Sequence, residues 1–297
     1  MKKYIKLLAY GVIGRTIFKI LRPVFKPPKK LRNKMKFVGS FTTKGINGQK
    51  FKLHNQAFLI ETNIFWSGLE DYEWEAMSRT VWTYMAEQSN VIFDIGANSG
   101  IFAILAKVHN ADAKVVAFEP QPNIYSVLKR SNDLNNFDIS CENLAVSNEN
   151  GELPFYNHGP NAFTNANTTV GSLNKDWRPD DQTSILVEVM KLKRYIEENN
   201  IPPIDLMKID VETLEYEVLE GYGDLLTIHQ PIILMEVQNP KIGENIEGLL
   251  KEGEYVYYNI IEKGGLKEVR KIGLSNSNHN YLLCPKSKAH LVDSMSK

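Results

Sequence analysis

Two sets of residues have types and spacing that can do chemistry. The first is the run Val91-Ile-Phe-Asp94-Ile-Gly96-Ala97-Asn98-Ser-Gly100. Its glycines allow a tight turn and close approach of a ligand, and the helical texture that follows can present its N-terminus to an anionic group. A strand, a glycine turn and a helix in this order form a nucleotide-type site. Asn98 and Ile101 stand where the dinucleotide fingerprint needs its second and third glycines, which weighs against a nicotinamide or flavin cofactor. Glu119 ends the next apolar run, Val115-Val-Ala-Phe-Glu119-Pro120, 23 residues after Gly96. An acidic side chain at that strand end can accept both hydroxyls of a ribose. Singly, each feature has a plainer reading as a structural turn or an ordinary strand-end acid; together they favour the site.

The second set is Asp210, Glu212 and Glu236, placed after two apolar runs. Asp210 is the best candidate for a general base toward a hydroxyl acceptor, a role that contributes about 10²- to 10⁴-fold. Glu212 and Glu236 can clamp sugar hydroxyls; a divalent cation is chemically compatible with the three carboxylates but is not predicted. The plainer reading makes Asp210 the cap of a helix beginning near Glu212. Residues 157–181 form a long polar stretch with five Asn, the kind of loop that is either functional or disordered. There His158 is a second base candidate and Trp177 a platform for a sugar face, although each also reads as an ordinary loop residue. Asn167-Thr168-Thr169 matches a glycosylation acceptor, moot inside a cell.

The elements that must hold these groups alternate. Strands are expected at residues 91–95, 114–118, 139–145, 184–189, 204–209, 232–237, 255–260 and 281–284, with an extended piece at 152–156. Helices are expected at 100–108, 122–134, 192–199, 214–220 and 243–251. Such alternation predicts an α/β domain with a mostly parallel, seven-stranded sheet covered by helices. Ahead of it, residues 37–60 read as a hairpin turning at Asn47-Gly48, and residues 70–88 as a helix from which Tyr72, Glu73 and Trp74 could reach the site. The domains are thus 1–36, 37–90 and 91–297.

From residue 91 to about 285 the chain resembles the FkbM-type methyltransferases, which use S-adenosylmethionine. The likeness rests on Phe93-Asp-Ile-Gly-Ala-Asn-Ser-Gly100, Ala117-Phe-Glu-Pro120, Asn143-Leu-Ala-Val-Ser147, Lys208-Ile-Asp-Val-Glu212, Tyr216-Glu-Val-Leu-Glu-Gly221, Ile233-Leu-Met-Glu-Val237 and Asn280-Tyr-Leu-Leu-Cys-Pro285, in order. The resemblance implies a class I, Rossmann-like methyltransferase sheet with helices on both faces. It places the methionine part of the cofactor over Asp94, Gly96, Ala97, Asn98 and Gly100, ribose on Glu119 beside Pro120, and adenine near Asn143 and Ala145. It also implies an oxygen acceptor: a hydroxyl on a sugar, glycan or small natural product. Thr213 stands where the family usually has Gly, and Gln238 where it often has His. These departures leave a non-catalytic cofactor-binding scaffold as one alternative, beside a nicotinamide-dependent oxidoreductase.

The chain has 297 residues with 35 basic and 35 acidic side chains, but the balance is segregated. Residues 1–36 hold 12 Lys or Arg and no acid, which leaves 23 basic against 35 acidic beyond them. The acidic body and the lack of a binding module in the arm argue against nucleic acid. The apolar part of the arm falls far short of the roughly 20 residues a membrane span needs, and no small-residue cleavage pattern follows it. Its apolar residues spread over more than one helical face, leaving open a helix lying on anionic lipid or one that is merely solvated or locally packed. Cys141 and Cys284 read as small hydrophobes rather than a disulfide. A cytoplasmic protein, peripheral to a membrane at most, is expected; the sequence is silent on oligomeric state.

Overall fold

The structure, a computed structural model, describes residues 12–159, 170–250, 254–273, 275 and 277–295. The chain opens with α1 (Val12–Leu21) and α2 (Lys29–Arg32), then β1 (Val38–Lys44) and β2 (Lys50–Gln56), which pair antiparallel. Alternate strand residues are buried, among them Phe41, Phe51 and Leu53, as a sheet with one wet face requires. The hairpin connection runs from Gly45 to Gln49 rather than over two residues. A helix that sequence periodicity did not reveal, α3 (Leu59–Ser67), follows; residues 61–66 are all buried, so it has no polar stripe to read.

The expected helix over 70–88 forms only as α4 (Ala76–Glu87). The buried Arg79 guanidinium holds the preceding segment out of helix by donating to the carbonyls of Leu69, Tyr72 and Trp74. Glu262 completes the boundary by accepting from the Met77 N–H at 2.8 Å and the Ser78 hydroxyl at 3.1 Å.

The main domain continues with β3 (Val91–Ile95), α5 (Ile101–His109), β4 (Lys114–Phe118), α6 (Pro122–Asn135), β5 (Ser140–Glu142), β6 (Ala145–Ser147), β7 (Gly151–His158) and β8 (Gln182–Lys191). Then come α7 (Leu192–Glu198), β9 (Leu206–Ile209), α8 (Glu215–Tyr222), α9 (Leu225–His229), β10 (Ile232–Glu236), α10 (Pro240–Leu249), β11 (Tyr255–Ile261), β12 (Gly265–Val269), β13 (Asn280–Pro285) and α11 (Ala289–Met295).

The main sheet has eight strands, not seven, in the order β12-β11-β13-β10-β9-β3-β4-β5. Strands β10, β9, β3, β4 and β5 run parallel, and β13 is antiparallel to both its neighbours. The additional strand, β12, is half polar and returns on β11 through Gly264 and Gly265, so it looks like a loop in sequence. The expected strand over 139–145 divides because the Asn143 amide donates to the carbonyls of Glu119 and Pro120 and ties the chain down. Beyond it β6 joins a separate three-stranded sheet, β6-β8-β7, which also takes the strand expected at 184–189.

Neighbouring strand residues point to opposite faces. Ile92 packs with Trp82, Phe102 and Leu105 of α4 and α5 on one side; Phe93 packs with Tyr195, Val218 and Leu219 of α7 and α8 on the other. Each large side chain buried there contributes about 1.5–3 kcal/mol. Cys141 and Cys284 are free thiols.

Candidate functional site

The parallel strands end at one edge, and a cavity of about 240 Å³ opens there between the turn after β3, the end of β4 and the turn after β9. The convergence is close. A Cβ on Gly96, at φ 77°, would lie 1.9 Å from the Asp210 carbonyl oxygen, so no other residue fits between these strand ends.

The N–H groups of the glycine turn are engaged within the fold. Those of Gly96 and Ala97 donate to the Phe118 carbonyl at 3.1 and 2.8 Å, and that of Asn98 donates to Glu119 Oε2 at 2.9 Å. The Ser99 N–H donates to Asn98 Oδ1 at 2.8 Å, and the Gly100 N–H to the Ala97 carbonyl. A phosphate would find no ring of donors here, in contrast to the usual anion cradle. What the turn offers instead is an acceptor. The buried Glu119 carboxylate takes backbone N–H groups from Asn98 and Gln121, and burial pushes it up to about 7 although both N–H groups pull it back. Its second lone pairs can accept from a ligand's hydroxyls.

At the opposite wall the Lys208 ammonium lies 2.7 Å from Asp210 Oδ2 and 4.7 Å from the centre of the Phe102 ring. Burial pulls this lysine down, but the carboxylates of Asp210, Glu75 and Asp94 outweigh it and push its affinity for the proton up. Glu212 is raised to about 7 by burial and then by Asp210 and Glu236; Glu236 is raised by burial and then by Asp210. Gln238 Nε2 bridges them, donating to Glu236 Oε2 at 2.8 Å and Glu212 Oε2 at 3.2 Å. Asp210, Glu212 and Glu236 bring carboxylate oxygens within 4.8 Å of one another, a separation that suits a clamp on vicinal hydroxyls. Asp210 is not a helix cap: α8 starts at Glu215, whose own carboxylate accepts from the Val211 and Thr213 N–H groups.

Of the residues singled out in the sequence, Gly96, Ala97, Asn98, Glu119, Pro120, Ala145, Asp210, Glu212 and Glu236 line the cavity together. Others stand behind it. Asp94 is fully buried, accepts from the Ala103 N–H at 2.9 Å and so fixes the first turn of α5; burial raises it to about 6. Gly100 takes φ 86°, which favours glycine, and a Cβ there would lie 2.2 Å from Leu128 Cδ1, forcing that side-chain end to move. Asn143 clamps Glu119 and Pro120 through their carbonyls rather than facing the cavity.

Two expectations are corrected. His158 is exposed at the end of β7, with Nδ1 2.7 Å from the Asp180 carbonyl, and it is outside the cavity wall. Trp177 is buried beneath the Arg178 guanidinium, so it offers no open face to a sugar there. The segment leading into β8 nevertheless reaches the site through Val170, Gly171 and Leu173. Residues 160–169, including Asn167 to Thr169, lie outside the described residues.

Sequence reasoning missed Glu75, Lys208 as a charge at the site, and Ile60. Glu75, at φ 46°, lines the cavity, and burial raises its carboxyl to about 8 against the pull of Lys208. Its neighbour Trp74, from the segment expected to reach inward, lines the cavity too. The signal that could have found Lys208 is a cation inside an apolar strand, two residues before Asp210. Below the turn, Glu61 of α3 is fully buried and pushed up to about 7, with the Ser99 hydroxyl offsetting part of the burial.

Residues 94–257 match the family described as Methyltransferase FkbM domain. Among curated proteins, the chain is 30% identical over 186 residues to methyltransferase sdnD of Sordaria araneosa, covering 54% of this chain and 71% of that protein. It is 31% identical over 157 residues to the 31-O-demethyl-FK506 methyltransferase FkbM of Streptomyces tacrolimicus, covering 46% and 60%. It is 25% identical over 169 residues to the hexuronic acid methyltransferase AglP of Haloferax volcanii, covering 57% and 64%. The chain therefore spans less than two thirds of the length of the last two.

Proposed function

The chain belongs to the FkbM methyltransferase family, and from that premise we propose that it transfers a methyl group from S-adenosylmethionine to a hydroxyl oxygen of a sugar, glycan or other small natural product. The observation that carries this reading is the glycine turn whose N–H groups are engaged internally beside the buried acceptor Glu119. Such a site suits a ribose-bearing ligand without a phosphate and disfavours a dinucleotide. When bound, S-adenosylmethionine supplies an electrophilic methyl on a sulfonium with a good leaving group.

The chain's own residues have the remaining tasks. Glu119 accepts the ribose hydroxyls, and Ala145 with Pro120 gives the neighbouring apolar wall. Glu212 and Glu236, held at a fixed spacing by Gln238, hydrogen-bond the acceptor's hydroxyls. Asp210 takes the proton that leaves the reacting hydroxyl as the new carbon–oxygen bond forms. Lys208, 2.7 Å from Asp210 Oδ2, holds that carboxylate in place. The cavity between them holds the two reactants in line with little water, from which most of the rate of such a displacement comes.

The oxygen acceptor has support from two relatives, one named for a 31-O-demethyl substrate and one for hexuronic acid. The same reading places the protein in the cytoplasm; no helix among the described residues is long and apolar enough to cross a membrane. Calorimetry with S-adenosylhomocysteine and with NAD, followed by labelled methyl transfer to a glycan and metabolite panel, tests it. Binding of S-adenosylhomocysteine and label in a hydroxyl are expected. NAD binding without S-adenosylhomocysteine binding would overturn it, and cofactor binding with no transfer would favour a scaffold.

A further inference from the structure

No described residue of the basic arm lines the cavity, and its described apolar residues occupy two faces. Phe18 and Leu21 form the inner stripe of α1: the Phe18 ring meets Trp66 edge-on at 5.3 Å and Leu21 packs against the same core, while Phe25, still exposed, reaches Trp66 at 6.4 Å. Two cations are also turned inward. Arg22 lies 4.9 Å from the centre of the Phe65 ring and donates to the Thr42 carbonyl at 2.9 Å, and Arg15 lies against Gly39.

Ile17, Ile20 and Val24 repeat at i, i+3 and i+7 and form a second, outer stripe that is 48%, 70% and 84% exposed. Lys19, Lys29, Lys30 and Lys34 are exposed in the same segment, Lys26 pairs with Asp71 at 3.4 Å, and residues 14–36 contain no acid. An exposed apolar stripe in a cationic segment matches one kind of surface: an anionic bilayer, whose headgroups meet the lysines while its acyl boundary takes the aliphatic side chains. A second copy of the chain would set the cationic segment against itself. A nucleic acid would engage the lysines and leave the stripe in water.

We propose that residues 14–36 dock the protein on an anionic membrane surface, with Ile17, Ile20 and Val24 entering the headgroup layer. The seat of the arm, Trp66, and a residue of the cavity wall, Ile60, are on the same helix α3, about 9 Å apart along its axis. The seat of the arm and the cavity wall thus share one supporting helix. The docking itself does not depend on the methyl-transfer reading.

The test is co-sedimentation of the full chain with vesicles of phosphatidylcholine, alone or with about 30% phosphatidylglycerol. Binding is expected only with the anionic lipid. It should fall at least about tenfold between about 50 and 500 mM salt. It should also fall about a hundredfold or more in Lys19→Glu/Lys29→Glu/Lys30→Glu, because each basic group near the surface is worth about fivefold. Ile20→Asp/Val24→Asp should lose binding as well, with S-adenosylhomocysteine affinity and Tm unchanged in both variants. No binding to anionic vesicles, equal binding to neutral ones, or wild-type binding by both variants overturns the proposal. So does retention on a single-stranded oligonucleotide in preference to anionic vesicles.

Discussion

The Asn174 amide donates to the Thr213 hydroxyl at 2.8 Å, tying the segment that leads into β8 to the turn after β9. The Ser172 hydroxyl, which donates to the Glu212 carbonyl at 2.8 Å, makes a second tie. Glu212 and Thr213 are held at φ 55° and 81°, a conformation costing about 1–3 kcal/mol at each non-glycine residue. Thr213→Gly should relieve strain and free the segment. The expected result is a Tm unchanged or slightly higher and a raised acceptor KM, with S-adenosylhomocysteine affinity kept. A parallel loss of cofactor affinity would show that the tie serves the cofactor instead.

Glu119 stands near 7 in the free protein because it is buried. Ribose hydroxyls donating to it favour its anion, so binding of S-adenosylhomocysteine near pH 6.5 should release a proton. Calorimetry in buffers of different ionisation enthalpy should detect that release in the wild type and not in Glu119→Gln. Affinity should drop about tenfold or more in the variant, the size of a lost charge-assisted hydrogen bond. An unchanged affinity would remove Glu119 from the cofactor site.

Asp210→Asn should lower kcat by about 10²- to 10⁴-fold while cofactor affinity stays within a few-fold, as removal of a general base requires. Lys208→Met takes away the cation that faces Asp210, Glu75 and Asp94. Without it Glu75 and Asp94, whose proton affinity Lys208 lowers, hold their protons to higher pH, so an acid limb set by them should move in the alkaline direction. A limb that stays in place would mean that Lys208 does not set the ionisation that limits the rate.

Much of this was legible because the residues concerned interrupt an apolar strand or its end. Gly96, Glu119, Asp210 and Glu236 each follow such a run, and the parallel order of the sheet brings those ends together. What escaped notice has no local pattern. Helix α3 is buried all round, Glu75 takes its place from three carbonyl contacts made by Arg79, and β12 becomes a strand only by pairing with β11. His158 and Trp177 were chosen for their chemistry within a long loop; extension of β7 carried the first outward, and packing against Arg178 covered the second.

Glu61 gives a stability signature. Its folded pKa of about 7 exceeds the ordinary 4.5, so the neutral form favours folding. That contribution is fully present below about pH 4.5 and is lost as the pH rises to about 7. Glu61→Gln keeps a neutral side chain at all pH values, so it should be more stable than the wild type at pH 8 by up to a few kcal/mol and nearly equal at pH 5. Urea unfolding at both pH values checks this; the same difference at each would rule out the titration.

Gly100→Ala should destabilise the fold through the contact with Leu128 and the φ of 86°. In a Leu128→Ala background the added loss should shrink toward the roughly 1–2 kcal/mol of backbone strain alone. Additive losses would mean that the side chains do not meet.

The eight-stranded sheet has two outer strands, and neither is an inviting template for another chain. β5 is only three residues long, and β12 exposes Lys267 and Glu268 along its five. An unpaired strand that is short or charged recruits other strands poorly. The main sheet therefore offers little to polymerise through, even where the protein is concentrated on a two-dimensional surface.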